Sequence, residues 1–288
     1  MAERPYTLAD LQRLQEWDTP TICNGLEYVV PDRRAIGFTV EPMLAADRSL
    51  KPIVGVARVG MIRAKEPPSV PTADRLDWYD YVAEADLPTV VVLQDLDDRP
   101  GYGAWWGEVH STVHKALGAL GCVTNGSFRD CDMLAPGFQI IGGRIGPSHA
   151  HVHLVDFGKP VNVFGMMVGH DDVVHADFHG AVVIPAEAVK RLPDAIALSA
   201  RKEKVILDMC ASPDFSPAKL REAVRQSGEI AAWKRVNRQF IGDLRKQLLV
   251  WRTVSREGQQ EYILKGRAHV NGQQLPSEQP GASVGSGV

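Results

Sequence analysis

The chain has 288 residues, 44% of them hydrophobic and 23% charged, with 32 lysines and arginines against 35 acidic residues for a net charge of −3. That composition describes an ordinary globular protein, long enough to bury a core without disulfide or metal staples, as one large domain with an appendage or as two small ones. The near balance of charge argues against a surface built throughout to grip nucleic acid or an acidic membrane, and no run approaches the roughly 18 apolar residues of a membrane helix. The four cysteines, Cys23, Cys122, Cys131 and Cys210, are too scattered for a disulfide framework or a paired-cysteine zinc site. The opening MAERPYTLADLQ lacks the apolar stretch of a signal peptide, so a cytoplasmic protein with reduced thiols is expected.

Thr7 and Asp10 in TLADLQRLQEW form a capping-box pattern ahead of apolar residues at helical spacing, which predicts a short first helix. Thr19-Pro20 predicts a second helix start, with TICNGL ending at Gly25. Residues 52–64 (PIVGVARVGMIRA) and 88–95 (PTVVVLQD) read as buried strands separated by the proline-rich loop KEPPSVPT. Then come a glycine-rich loop (RPGYGAWWG), a helix from Glu108 to about Ala119, and the strand GCVTNG, a βαβ rhythm. After Arg129-Asp130, five short segments (FQIIGG, HVHLVDF, PVNVFG, DDVVHAD, GAVVIP) predict a compact β layer, with Gly142-Gly143-Arg144-Ile145-Gly146 as a hairpin turn. A helix from Pro185, kinked near Pro193, runs to about residue 207.

Beyond residue 210 the composition shifts. SPDFSPAKLREAVRQSGEI reads as a capped helix, and residues 233–251 place Trp233, Val236, Phe240, Ile241, Leu244, Leu248 and Trp251 on one helical face. Seven basic residues between Lys234 and Arg256 stand against the single acid Asp243. This reads as a docked amphipathic helix with a basic solvated face, and contact with an anionic partner or another subunit is the alternative. The expected organisation is a core over 7–210, a helical extension over 211–272 and a disordered tail over 273–288.

Chemistry concentrates in GEVHSTVHKALGALGCVTNGSFRD, residues 107–130. A glycine-led helix start leaves the N–H groups of Val109 and His110 free to hold a carboxylate or phosphate. Arg129 and Asp130 follow the next strand at its carboxyl end, where ligands of α/β sheets bind; on spacing alone a surface ion pair is the plainer reading. A second constellation is His149, His151 and His153, which on a strand share one face and with His170, His175 and His179 offer a zinc or iron site. Polar strand residues or subunit contacts are the plainer reading of these histidines.

The 107–130 block resembles the signature of the RraA-like family, which includes metal-dependent 4-hydroxy-4-methyl-2-oxoglutarate/4-carboxy-4-hydroxy-2-oxoadipate aldolases and a non-catalytic regulator of ribonuclease E activity. The likeness extends over roughly residues 15–207, through TPTICNGL, PIVGVARVGMIRA and VVHADFHGAVVIP. It implies an α/β fold of the RraA-like type, a swivelling β/β/α sandwich, here with a C-terminal helical extension, and a homotrimer or dimer of trimers. In the aldolase branch the resemblance implies that Asp130 binds Mg²⁺ or Mn²⁺ and that Glu108 holds metal-bound water. It also implies that Arg129 contacts the keto oxygen of a 2-oxo acid and that the Val109 and His110 amides hold its carboxylate. Regulator-type members lack the aspartate after the arginine, so Asp130 points to the catalytic branch, with a non-catalytic oligomeric binding protein as the alternative. Trp105 and Trp106 bring large rings where the aldolases carry smaller residues, which implies a reshaped substrate pocket that Trp106 helps to line. The expected reaction is cleavage of a 4-hydroxy-2-oxo acid through a pyruvate enolate, with oxaloacetate decarboxylation as a related activity.

Overall fold

A computed structural model describes residues 4–230. The expected helix over 233–251, its basic face and the tail from residue 273 lie outside the described residues. Two compact units, Met1–Arg201 and Lys202–Val288, divide the chain.

The first unit begins with α1 (Leu8–Leu14), closed by the predicted capping box: the Thr7 hydroxyl accepts from the Asp10 amide and the Asp10 carboxylate accepts from the Thr7 amide. Helix α2 (Thr19–Val29) is capped by Asp18, one residue before the threonine expected to do it, and runs past Gly25 because Ile22, Leu26 and Val29 continue its buried stripe. After the edge strand β1 (Leu44–Ala45), the long strand β2 (Ile53–Arg63) leads into α3 (Arg75–Ala83) and then β3 (Thr89–Asp95). Helix α3 follows the proline-rich loop KEPPSVPT and has no counterpart among the elements expected from sequence. Asp74 caps it, its carboxylate accepting from the amides of Leu76 (2.6 Å) and Asp77 (3.3 Å), and Trp78 and Val82 form its buried face.

A three-residue strand, β4 (Ala104–Trp106), lies inside the expected glycine-rich loop and pairs in parallel with β5 (Ala119–Phe128). Between them α4 (Glu108–Ala116) ends earlier than expected, since Ala119 already belongs to β5. Strand β6 (Gln139–Ile145) absorbs most of the glycine cluster that predicted a hairpin. A glycine is needed there because a Cβ on Gly143 would sit 2.4 Å from the Asn125 carbonyl oxygen of the neighbouring strand. The remaining strands are β7 (His153–Phe157), β8 (Val161–Val163), β9 (Met166–Val168), β10 (Val173–Asp177) and β11 (Gly180–Ile184). The helix expected from Pro185 is a 3₁₀ helix, Ala186–Arg191, followed by α5 (Leu192–Ala211), so the break falls at the predicted proline. In the second unit, residues 217–230 are helical, and the Ser216 hydroxyl accepts from the Lys219 amide as the predicted cap.

The main sheet runs β1-β6-β5-β3-β2-β10-β11, with β4 beside β5 and β7 beside β2. Its central pairs, β2 with β3, β3 with β5 and β5 with β6, are parallel, as βαβ connections require. Valine-rich runs such as TVVVLQD are buried at every position but the half-buried Gln94 because both faces are covered. On one face, Val54, Val173, Val182 and Ile184 pack against α1, α2 and the start of α5, and Ile62, Val91, Leu93 and Ile140 against Trp78 of α3 and the rings of Trp105 and Trp106. On the other face, Ala57, Val59, Val92 and Val123 meet the β8–β9 ribbon through Val161, Val163, Met166 and Val168. Helices, main sheet and ribbon make three layers. Among the described residues no helix is long and apolar enough to cross a membrane.

Two buried polar clusters pin the layers. His175 is enclosed on β10; Thr19 is its partner at Nδ1 (3.0 Å), and its Nε2–H donates to the Trp17 carbonyl (2.9 Å), while Asp177 accepts from the Thr19 amide. On β2 the buried Arg58 donates to Asp171 (2.5 Å) and to the Tyr81 carbonyl (2.9 Å), and Arg4 reaches the same carboxylate at 3.0 Å. Removing the Asp171 charge strands the Arg58 guanidinium in the interior. Asp171→Asn, which keeps a residue tolerant of its φ of 63°, should therefore lower unfolding free energy by about 2–3 kcal/mol. Urea denaturation at neutral pH measures it, and a loss below about 0.5 kcal/mol would mean the pair contributes nothing.

Candidate functional site

Strand β5 ends at Phe128, and the next two residues carry the charge. The Arg129 amide donates to the Trp106 carbonyl at 2.9 Å, extending the β4–β5 pairing by one bond, and Asp130 then turns into the left-handed region at φ 54°. Aspartate accepts that conformation more readily than most residues. The turn swings its carboxylate back over the start of α4, where Oδ2 accepts from the Glu108 amide at 3.3 Å and lies 3.5 Å from Arg129 Nε.

Gly107, the cap of α4, leaves room for this. Its backbone is extended, so its flexibility is not needed; a Cβ there would meet Asp130 Oδ2 at 2.5 Å. With Glu108 satisfied by Asp130, the Val109 and His110 amides of the first turn have no acceptor among the described residues. Free amides at a helix start, beside an arginine, favour an anion.

These groups border one cavity of about 390 Å³, lined by Arg75, Ala104, Trp105, Gly107, Glu108, Val109, His110, Arg129, Asp130, His149 and Val152. The structure thus brings together every expected site residue except Trp106. That ring is fully buried, edge-on to His114 (4.8 Å between centroids) and beside Phe138, and its neighbour Trp105 forms the wall. Both rings belong to one buried cluster and flank His110, Trp105 stacked on it and Trp106 edge-on at 6.4 Å between centroids. Arg75, at the first position of α3, and His149 are lining residues that sequence reasoning did not place here. Arg75 carries no sequence signal beyond the Asp74 cap before it. Asn125 fastens the floor, its side-chain oxygen accepting from the Asp95 amide (2.7 Å) and its NH₂ donating to the Asp95 carbonyl (3.0 Å). Burial in turn holds the Asp95 carboxyl above the usual range.

The two histidines of α4 differ. His114 is enclosed and satisfied, with Nδ1–H donating to the His110 carbonyl (2.7 Å) and Nε2 accepting from Trp78 Nε1 (2.9 Å), which ties α3 to α4. Burial pushes it down to about 4 and His110 down to about 3, so both rings are neutral at pH 7. His110 stacks on Trp105 with centroids 4.4 Å apart.

The histidine-metal expectation is corrected. His149 and His151 lie in a turn, closed by the Val152 amide on the His149 carbonyl, so only His153 is in a strand and the three share no face. His149 borders the site cavity; His153 borders a separate cavity of about 520 Å³ with Arg63, Lys65, Asp97 and Asp98. That cavity is larger, yet its charges already pair with one another, Arg63 with Asp97 (3.6 Å) and Lys65 with Asp98 (3.4 Å). His170, His175 and His179 are held by Tyr81, Thr19 and Asp177. Among the described residues no group of three or more His, Cys, Asp or Glu could hold a metal ion. A cation here therefore has one carboxylate, Asp130, with Glu108 at its side. That donor set fits a hard ion that keeps most of its water and does not fit zinc or iron.

Fold and crevice together define an α/β protein in which an arginine, two carboxylates and two helix amides without acceptors among the described residues meet at the carboxyl ends of parallel strands, against a helix start. Residues 19–183, more than half of the chain, match the family model for RraA-like proteins (Aldolase/RraA), and the chain belongs to that family. Among solved structures it is similar to an uncharacterized protein from Pseudomonas syringae pv. tomato (17% identity, TM-score 0.59, covering 78% of this chain and 97% of that one). It is also similar to RraAS2 of Streptomyces coelicolor, described as an unusual member of the RNase ES inhibitor RraA protein family (21% identity, TM-score 0.55, covering 68% and 95%). At these identities the likeness is one of fold. No curated protein matches the chain in sequence.

Gly107→Ala should push the Asp130 carboxylate aside while sparing the fold, since the obstructed atom ends a short side chain. Amide exchange at Glu108 should speed up with the denaturation midpoint nearly unchanged; an unaltered Glu108 amide would refute the contact. His110, His114 and His175, the last pushed down to about 4 by burial, all take up protons at higher pH in the unfolded chain, near 6.5, than in the folded one. Unfolded protein thus binds more protons between these values, and stability should fall as pH drops from about 6.5 to 4. Urea midpoints across that window test it, with a flat profile as the contrary result.

Proposed function

We propose that this crevice is the active site of a divalent-cation-dependent carbon–carbon lyase that cleaves a 4-hydroxy-2-oxo acid and releases pyruvate, with oxaloacetate decarboxylation as a related activity. The supporting observation is the convergence of Arg129, Asp130, Glu108 and two unspent helix amides on one cavity. In this reading the Val109 and His110 amides hold the substrate carboxylate, which fixes the pyruvyl end against the positive end of α4. Arg129 then faces the keto oxygen. When the C3–C4 bond breaks and the C4 hydroxyl gives up its proton to water, the electron pair passes to that oxygen as an enolate, which the guanidinium stabilises through directed N–H groups until water returns a proton to C3 and gives pyruvate.

Asp130 would hold Mg²⁺ or Mn²⁺ through Oδ1, which makes no hydrogen bond among the described residues, with Glu108 ordering its waters. Bound there, the cation would supply further positive charge beside the keto oxygen. No Schiff-base lysine enters. A homo-oligomer, trimer or dimer of trimers, belongs to the same reading: Val109 at the cavity is 68% exposed, an apolar side chain that a second copy would cover.

The test is pyruvate release from 4-hydroxy-2-oxo diacids and oxaloacetate with Mg²⁺ or Mn²⁺, repeated with chelator. Asp130→Ala should lose at least 100-fold in turnover with its fold intact, and Arg129→Lys should be severely impaired because an ammonium lacks the guanidinium fork. Unchanged activity in Asp130→Ala would remove that residue from the mechanism. Protein that releases no pyruvate from any of these compounds would make the crevice a binding site without turnover, as in a regulator.

A further inference from the structure

Neither ring nitrogen of His110 has a partner in the protein among the described residues, and Nδ1 is fully enclosed. The contrast with His114, one helical turn along and with both nitrogens engaged, shows that this helix face can satisfy an imidazole. Trp105, on which His110 stacks, is 6% exposed, and its Nε1–H is likewise enclosed without an acceptor. Buried polar atoms are nearly always paired, so these two enclosed groups mark a wall of the cavity that the described residues leave unsatisfied, and Nε2, which is not among the enclosed atoms, is the ring nitrogen left open to a partner from outside the chain. Both line the cavity that holds Arg129 and Asp130.

The ring cannot easily turn away to find another partner. It is stacked on Trp105 and bounded by the rings of Trp106 (6.4 Å) and His114 (5.7 Å). Its own main-chain amide belongs to the pair that would hold the substrate carboxylate, so its imidazole lies one side chain away from that anchor. We infer that the His110 imidazole, backed by Trp105, contacts the substrate directly and donates a hydrogen bond to the oxygen on C4, beyond the keto group. His110 would thereby select substrates that carry an oxygen at that position. This rests on the 2-oxo acid reading above. It concerns the far end of the substrate, whereas Arg129 and Asp130 act on the pyruvyl end.

That division gives the test. Wild type, His110→Leu and His110→Gln are compared in two assays with Mg²⁺: cleavage of 4-hydroxy-4-methyl-2-oxoglutarate, and deuterium exchange of the pyruvate methyl group in D₂O. Exchange requires enolate formation but no C4 oxygen. His110→Leu should lower kcat/KM for cleavage at least tenfold more than it lowers exchange, and His110→Gln, which keeps a donor, should recover most of that difference. Equal losses in the two assays, or cleavage unaffected in His110→Leu, would overturn the contact while leaving the lyase reading in place. Wild-type protein that neither cleaves nor exchanges would overturn both. A urea denaturation midpoint near that of wild type shows that each variant has folded.

Discussion

The Asp130 carboxylate reaches the Glu108 amide across a space that a side chain on Gly107 would fill. This contact joins the end of β5 to the start of α4 and settles several matters together. It satisfies one orphan amide of the helix and leaves the next two without an acceptor among the described residues. It turns one carboxylate oxygen toward the helix, leaves the other without a hydrogen bond among the described residues, and lies beside the Arg129 guanidinium. A longer residue at 107, or an aspartate unable to adopt a positive φ, would separate these groups without disturbing the sheet beneath them.

Much of the fold was legible in sequence where local chemistry and burial agree. The Thr7 capping box, the valine runs of β2 and β3 and the proline break near residue 193 all read directly. What failed did so for tertiary reasons. Helix α3 mixes acids and aromatics and follows a proline-rich stretch, so its stripe is only Trp78 and Val82; it is fixed by the Trp78–His114 hydrogen bond, which joins residues 36 positions apart. The glycines of β6 looked like a turn because glycine's commonest use is conformational. Their use here is close approach between strands, which depends on a neighbour that local sequence does not reveal.

The crevice shows the same limit. Arg129, Asp130, Glu108 and the α4 amides were readable because one continuous block carries them. Arg75 and His149 reach the cavity from distant elements. Alternation in SHAHVHLV mimicked a strand face, but Ala150 adopts φ 46° and a turn parts the histidines into two cavities. The paired tryptophans divide similarly: Trp106 anchors α4 to the sheet from behind while Trp105 faces the ligand space. Reading the residue type was sufficient to flag the pair; reading which ring does which required the β4–β5 pairing.

Strand β5 has parallel neighbours on both sides, with β3 and β6 each separating it from the margin of the sheet. Unfolding of such a sheet starts at its margins, where β1 contributes two residues and β11 has no outer neighbour on the strand path. Arg129 and Asp130 follow the strand that such loosening reaches last. Opening of the sheet at its margins therefore leaves the end of β5, and with it the placement of Arg129 and Asp130, in the part of the sheet that is enclosed by β3 and β6.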